Sequence, residues 1–289
     1  MKKLFVILLV LVSLQTQAQE SLLITPQWLN EHKADKDIVI VQPNYLKFDY
    51  DNEHIEGARY LWPSLLSPDS PQGSLNAPDL KAAGELLGSL GISRNSRVVI
   101  CHVRNEVSQS ARVFLVLEQV GLRGKVMFLN GGLEAWKKAG FPVTKDVPKV
   151  TKMKFEPALT TLLVDKEYVS KNLSSTEILI VDARAKNFYD GDPTGNPRDG
   201  HIAGAKNIPY QEMLDQATYT FKPSDQLQTY FTPVASPDKE LVAYCFIGQT
   251  ASVVYMAGRI LGYNMKLYDG SMQEWSRISE LPMEKTEKK

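Results

Sequence analysis

The sequence predicts an α/β protein of two similar domains in tandem, each a parallel sheet with helices on both faces. Three observations predict it. The chain repeats itself at a period of about 140 residues. Within each half, short and nearly continuous apolar runs alternate with longer helical patterns, as in a parallel sheet covered on both faces. The 289 residues are enough for two cores, since each half is of ordinary domain size.

The repeat rests on three pairs of segments in the same order. His54-Ile55-Glu56-Gly57-Ala58-Arg59 answers to His201-Ile202-Ala203-Gly204-Ala205-Lys206. Arg97-Val98-Val99-Ile100-Cys101-His102 answers to Glu240-Leu241-Val242-Ala243-Tyr244-Cys245. Phe128 to Trp136 answers to Leu267 to Trp275. From His54 to His102 is 48 positions, and from His201 to Cys245 is 44.

Taken in chain order, Lys2 and Lys3 precede an apolar run from Leu4 to Val12, too short to span a bilayer as a helix. Thr16-Gln17-Ala18 follows as a small-x-small cleavage site. Residues 1–18 are therefore expected to be a cleavable signal peptide, and the mature chain periplasmic or secreted, with no membrane attachment after cleavage. A first domain is expected over residues 22–145. Thr25-Pro26 reads as an N-cap with proline at the first helical position. Ile38–Val41, Val98–Ile100 and Lys125–Phe128 read as buried strands. The Lys-, Pro- and Thr-rich stretch from Pro142 to Thr160 lacks periodicity and holds the expected linker, residues 146–160. A second domain follows over residues 161–285. In it Asp165 caps a helix, and Ile178–Val181, Leu241–Tyr244 and Met265–Tyr268 are strands. Ala251 to Leu261 is a helix ended by Gly262. The charged tail from Glu284 to Lys289 reads as a solvated end.

Composition narrows the function. There are 33 basic and 33 acidic residues, so nothing points to nucleic acid or an acidic membrane surface. No metal-ligand spacing is present. The two cysteines, Cys101 and Cys245, each end an apolar run in different halves, which argues against a disulfide between them. Cys245 ends a strand and leads into Phe246, Ile247, Gly248, Gln249, Thr250 and Ala251, a loop that turns into a helix. Such a loop can aim backbone N–H groups at the sulfur, and the helix N-terminus adds positive potential. Both favour a nucleophilic thiolate. Aligning the repeats puts His102, not Cys101, opposite Cys245. Cys101 falls opposite Tyr244, on the other face of the strand, and reads as structural. His102 and Arg104 reach the site only if the domains pack face to face. His54 and His201 occur in both halves and read as turn-fixing residues. Asp269-Gly270 reads as a turn, and Trp136 and Trp275 as packing.

With these residues in place, the chain resembles a tandem-domain rhodanese, the family of thiosulfate and 3-mercaptopyruvate sulfurtransferases. The resemblance runs from about Leu22 to Pro282. It is carried by Val181-Asp182-Ala183-Arg184, by Gly200 to Ala205, by the Cys245 loop, and by Leu267 to Ser271 with Trp275. It implies two rhodanese-like domains, with activity confined to the second. It implies that Cys245 takes sulfur from thiosulfate or a related donor as a persulfide and passes it to cyanide or a thiol, with a protein thiol as a further acceptor and 3-mercaptopyruvate as the alternative donor. No organic cofactor or metal is implied. Arg184 and Arg198 become the candidates for binding an anionic donor, and Asp182 a support for the site loops. The sequence departs from the family pattern in three places. Phe188 stands where many members carry a second Arg, Ile247 where a Lys or Ser is common, and Trp62 where mercaptopyruvate enzymes place an Asp. With no cation in the loop, a less charged or bulkier donor is expected. A phosphatase is disfavoured, because Ala251 stands where its Arg belongs. A docking or persulfide-carrier module is the rival reading, and it predicts an exposed apolar patch at Phe246 and Ile247.

Overall fold

The computed structural model describes residues 22–70 and 73–286. The leader expected over residues 1–18 lies outside them. The first half runs β1 (Leu23–Ile24), α1 (Pro26–His32), β2 (Ile38–Pro43), α2 (Lys47–Asn52), β3 (Arg59–Leu61), α3 (Leu80–Ser89), β4 (Arg97–Ile100), α4 (Val107–Leu117), β5 (Val126–Leu129) and α5 (Gly132–Lys138). The second runs β6 (Leu163–Val164), α6 (Lys166–Lys171), β7 (Ile178–Asp182), α7 (Lys186–Asp190), β8 (His201–Ile202), β9 (Lys206–Asn207), α8 (Ser224–Phe231), β10 (Glu240–Tyr244), α9 (Ala251–Ile260), β11 (Asn264–Tyr268), α10 (Ser271–Trp275) and β12 (Met283–Glu284).

The repeat is visible in the sheets. The first orders its strands β1-β5-β4-β2-β3 and the second β6-β11-β10-β7-β9, the same order twice over. Every pairing within these two sheets is parallel. β4 and β10 are the central strands, so the residues that follow them, His102 and Cys245, emerge at equivalent points. The expected caps form: Thr25 Oγ1 accepts from the Trp28 N–H at 3.2 Å, and Asp165 Oδ1 from the Tyr168 N–H at 2.8 Å.

The two sheets face each other across α4 and α9. One apolar core runs through both halves, joining Val41, Ile100 and Phe128 to Val181, Ala243 and Leu267. α4 is buried on nearly every side from Ser110 onward, in keeping with a second half, Ala111 to Leu117, that is apolar but for Arg112. Separate outer cores hold Cys101 and Trp136 in the first half, and Tyr244 and Trp275 in the second. Glu118, just beyond α4, crosses the seam. Its carboxylate takes hydrogen bonds from Arg259 Nη2 at 2.9 Å and Tyr255 Oη at 2.5 Å. Residues 145–160 form no helix or strand, yet they pack against the domains: Phe155 is buried, and the Ala158 N–H donates to Val120 O.

Candidate active site

β10 delivers Cys245 to its C-terminal edge, where open parallel sheets place their ligand sites. Two contacts hold the residue from behind. Its own N–H donates to Ser271 Oγ at 3.2 Å, and its carbonyl accepts from the Met272 N–H at 3.1 Å. The Phe246 carbonyl is held by the Gln273 N–H in the same way. With its carbonyls turned back towards α10, the chain curls through Gly248 at φ +84°, a conformation that L side chains rarely adopt. The curl aims the Gly248 N–H at Cys245 Sγ, 3.2 Å away. α9 then starts at Ala251, and its N-terminal dipole adds positive potential beside the sulfur. Cys245 is nearly enclosed, at 1% exposure.

Asp182 and Arg184 form a buried pair beside this loop. Arg184 Nε and Nη2 donate to the Asp182 carboxylate, Nη2 at 2.6 Å, and Nη2 also donates to Gly200 O. Burial opposes the guanidinium charge, but the Asp182 carboxylate outweighs it and the Arg184 pKa rises; the Cys245 sulfur adds to the same effect. Arg184 lies 5.1 Å from the Phe246 ring centroid, and Phe188 meets the same ring edge-on at 5.3 Å. Phe188, where a second family Arg was looked for, thus builds an aromatic wall. Arg184 Nη1 is buried and has no hydrogen-bond partner among the described residues.

The first half completes the site, which sequence reasoning missed. Arg112, in the middle of α4, is 2% exposed and pairs with Asp269 across the seam, Nη2 to Oδ1 at 2.6 Å. Its Nη2 also donates to Leu75 O and its Nε to Ser67 Oγ. Asp269, expected only to turn the chain, anchors this arginine, and its second oxygen accepts from the Ala77 N–H at 3.0 Å. Asn130 uses its side chain likewise at the repeat-equivalent position, accepting from the Phe221 N–H of the other domain at 2.8 Å. Gln249 reaches Ser108 across the seam at 3.2 Å. One signal in the sequence pointed to Arg112: a single cation inside the otherwise apolar run from Ala111 to Leu117, a setting where a charge must be paired.

Other candidates sit elsewhere. Arg198 is a correction: its guanidinium is bound to the carbonyls of Trp275, Ser276, Ile278 and Leu281. Those carbonyls lie at the C-terminal end of α10 (Trp275 and Ser276) and in the segment just beyond it, whereas the Cys245 loop is held at the other end of the helix. The arginine caps a helix and does not face the loop. Cys101 is buried in the outer core, and burial pushes its thiol pKa up. His102 is buried against Phe128 and against the Gly132 backbone, with its pKa lowered by burial to about 4. Arg104 turns outward to pair with Asp49. His54 and His201 stack on Tyr50 and Tyr189 and hydrogen-bond their carbonyls, the same device in both halves. Phe246 and Ile247 are only partly exposed. The large exposed apolar side chains include Leu46, Phe48, Trp62 and Leu65 of the first half. No group of three metal-ligating side chains occurs among the described residues.

Comparison with known proteins agrees with this architecture. The model of the rhodanese-like domain matches residues 25–139 and again 165–278. Thiosulfate sulfurtransferase of Rattus norvegicus is 30% identical over 79% of this chain and 79% of its own. 3-Mercaptopyruvate sulfurtransferase of Escherichia coli K12 is 28% identical over 89% and 95%. A protein of Thermus thermophilus called a sulfur carrier protein is 27% identical over 93% and 99%. The crystal structure of the 3-mercaptopyruvate enzyme SseA from Escherichia coli superposes with a TM-score of 0.76 at 27% identity, covering 87% of this chain and 98% of that one.

Proposed function

The chain belongs to the rhodanese family of sulfurtransferases, with two rhodanese-like domains, and from that premise we propose that Cys245 is the nucleophile that carries the sulfur. One observation carries the reading above the others: the Gly248 N–H points at Cys245 Sγ from a left-handed glycine ahead of a helix N-terminus. That arrangement stabilises a thiolate, and equally the terminal anion of a persulfide.

The proposed donor is thiosulfate or a related sulfane-sulfur compound. The Cys245 thiolate attacks the outer sulfur of thiosulfate. An S–S bond forms to Cys245, the donor S–S bond breaks, and sulfite leaves with the electron pair. The persulfide then offers its terminal sulfur to cyanide or a thiolate. The new bond to the acceptor forms as the Cys245 S–S bond breaks, and the thiolate returns. Each half-reaction is a two-electron displacement, so no outside oxidant or reductant is needed. Asp182 and Arg184 hold the loop from one side, and Arg184 keeps one nitrogen for an anionic donor. The proposed setting is the periplasm or exterior, from the leader pattern at residues 1–18.

The deciding experiment weighs the intact protein after incubation with thiosulfate, and separately with 3-mercaptopyruvate. The expected gain is one sulfur atom, lost in Cys245→Ala and kept in Cys101→Ala. No gain with either donor sinks the mechanism.

A further inference from the structure

The Cys245 loop contains no cation, and within it a single described N–H reaches the sulfur. An anionic donor needs more than that. We propose that Arg112, supplied by the first domain, is an anion-recognising residue of the Cys245 site alongside Arg184, its Nη1 binding an oxygen of a sulfur oxyanion such as thiosulfate or the departing sulfite. The inference rests on the reading of Cys245 as the sulfur carrier, and it adds the residue that selects the donor.

Three observations meet at one nitrogen. Arg112 Nη1 is buried and has no hydrogen-bond partner among the described residues. A buried charged donor left without an acceptor is costly, so in a folded protein it marks a place kept for something else. The nitrogen packs against the residue that builds the sulfur cradle: a Cβ added to Gly248 would lie 3.3 Å from Nη1, and it is the Gly248 N–H that touches Cys245 Sγ. The remaining guanidinium nitrogens are committed. Nε binds Ser67 Oγ at 3.1 Å, and Nη2 binds both Leu75 O and Asp269 Oδ1. Those bonds fix the plane of the group and leave Nη1 as its only uncommitted corner.

The ligand class follows from charge and shape. A fixed guanidinium N–H pair beside Gly248 suits the oxygens of a compact oxyanion. Asp269 offsets the Arg112 charge before the donor arrives, so the buried cation is stable in the empty site. Arg184 is built in the same way on the second domain, with Asp182 as its partner and Nη1 uncommitted. The missing loop cation is thus replaced from across the seam, and the expectation of a weakly charged donor gives way to an anionic one.

The test separates binding from chemistry. Thiosulfate is titrated calorimetrically into the full chain carrying Cys245→Ser, which cannot turn over. Adding Arg112→Gln is expected to weaken binding about tenfold to a hundredfold, the range for one charge-assisted hydrogen bond. Arg112→Lys keeps the charge but cannot serve both Asp269 and the cradle. It is expected to lose about tenfold, and it carries the test if the glutamine variant fails to fold. In the Cys245 chain, kcat/KM for thiosulfate should fall by a similar factor, while a neutral organic trisulfide stays within about threefold. Thiosulfate that binds both variants as it binds Cys245→Ser alone, or does not bind Cys245→Ser at all, overturns the proposal. An equal loss with the neutral trisulfide also overturns it, since that is the signature of a merely structural role. If thiosulfate binds through Arg112 but the wild-type chain gains no sulfur, it is the sulfur-carrier reading that fails instead.

Discussion

Gly248→Ala tests the cradle most directly. The glycine sits at φ +84°, and an added Cβ would meet Arg112 Nη1 and Asp269 O, each at 3.3 Å, and Leu267 Cδ2 at 3.5 Å. Two costs follow. Holding alanine in the left-handed region costs about 1–2 kcal/mol. For a domain of this size that lowers the melting temperature by roughly 2–6 °C. The second cost falls on chemistry. If the loop relaxes towards negative φ, the residue 248 N–H swings off Cys245 Sγ, to which it now lies at 3.2 Å. Losing one hydrogen bond to a charged sulfur is worth about 1.5–3 kcal/mol, or roughly tenfold to a hundredfold in rate. The assay pairs calorimetry with the rate of Cys245 alkylation by iodoacetamide at fixed pH. Alkylation reads the thiolate without needing a donor. A slower rate with a modest drop in melting temperature is the expected result. A variant that melts and alkylates like the wild type would refute both the strain and the role of the N–H. One that melts lower but alkylates at the wild-type rate would keep the strain and refute the cradle.

Three further outcomes follow from the same structure. Arg198→Ala frees four carbonyls at the end of α10 and should cost about 2–4 kcal/mol in urea unfolding, with KM for thiosulfate unchanged within twofold; a raised KM at unchanged stability would return Arg198 to the substrate site. His102 has its pKa lowered from 6.5 to about 4, so between those values the unfolded chain binds a proton that the folded chain refuses. Stability is complete above about pH 6.5 and falls by about 3 kcal/mol as the pH drops to 4, and His102→Leu should flatten that part of the urea-midpoint profile. Glu118→Ala strands Arg259 and Tyr255 at the domain seam and should cost about 3–5 kcal/mol, appearing in calorimetry as a lower or split transition; an unchanged thermogram would show that the seam does not depend on this cluster.

Most of the fold was legible because local and global signals agreed. The runs Ile38–Val41 and Leu241–Tyr244 are apolar throughout, and both became the buried strands expected of a covered parallel sheet. Thr25, Asp165 and Gly262 are boundary residues whose side chain, or lack of one, acts within a few positions, so their roles could be read locally. The Cys245 loop was legible for the same reason, since strand, glycine and helix start lie within seven residues. Arg198 misled because its neighbours in sequence suggested a substrate site, while its partners lie some 80 positions further along. Asp269 was read as a turn for a similar reason, as its second partner, Arg112, is 157 positions away. A charge whose partner sits in the other half of a duplicated chain leaves no local trace beyond its own oddity.

The duplication itself fits the proposal that the first half contributes without reacting. At matching points of the two sheets, Gln42 stands for Asp182, Asn44 for Arg184, and His102 for Cys245. The ion pair and the proposed nucleophile are both absent from the first half, and the imidazole that replaces the thiol is buried and held neutral near physiological pH. What the first half retains is the sheet that positions α4, and α4 carries Arg112 into the other domain's site. The seam is lined by paired elements on both sides, α4 against α9, so a residue on α4 is held as firmly relative to Cys245 as one within the second domain. A loop with no cation of its own, beside a seam that delivers one, means that neither domain holds the whole site. On the proposed assignment the donor site is shared by the pair, and substitutions on α4 of the first domain should alter donor choice while leaving the Cys245 loop intact.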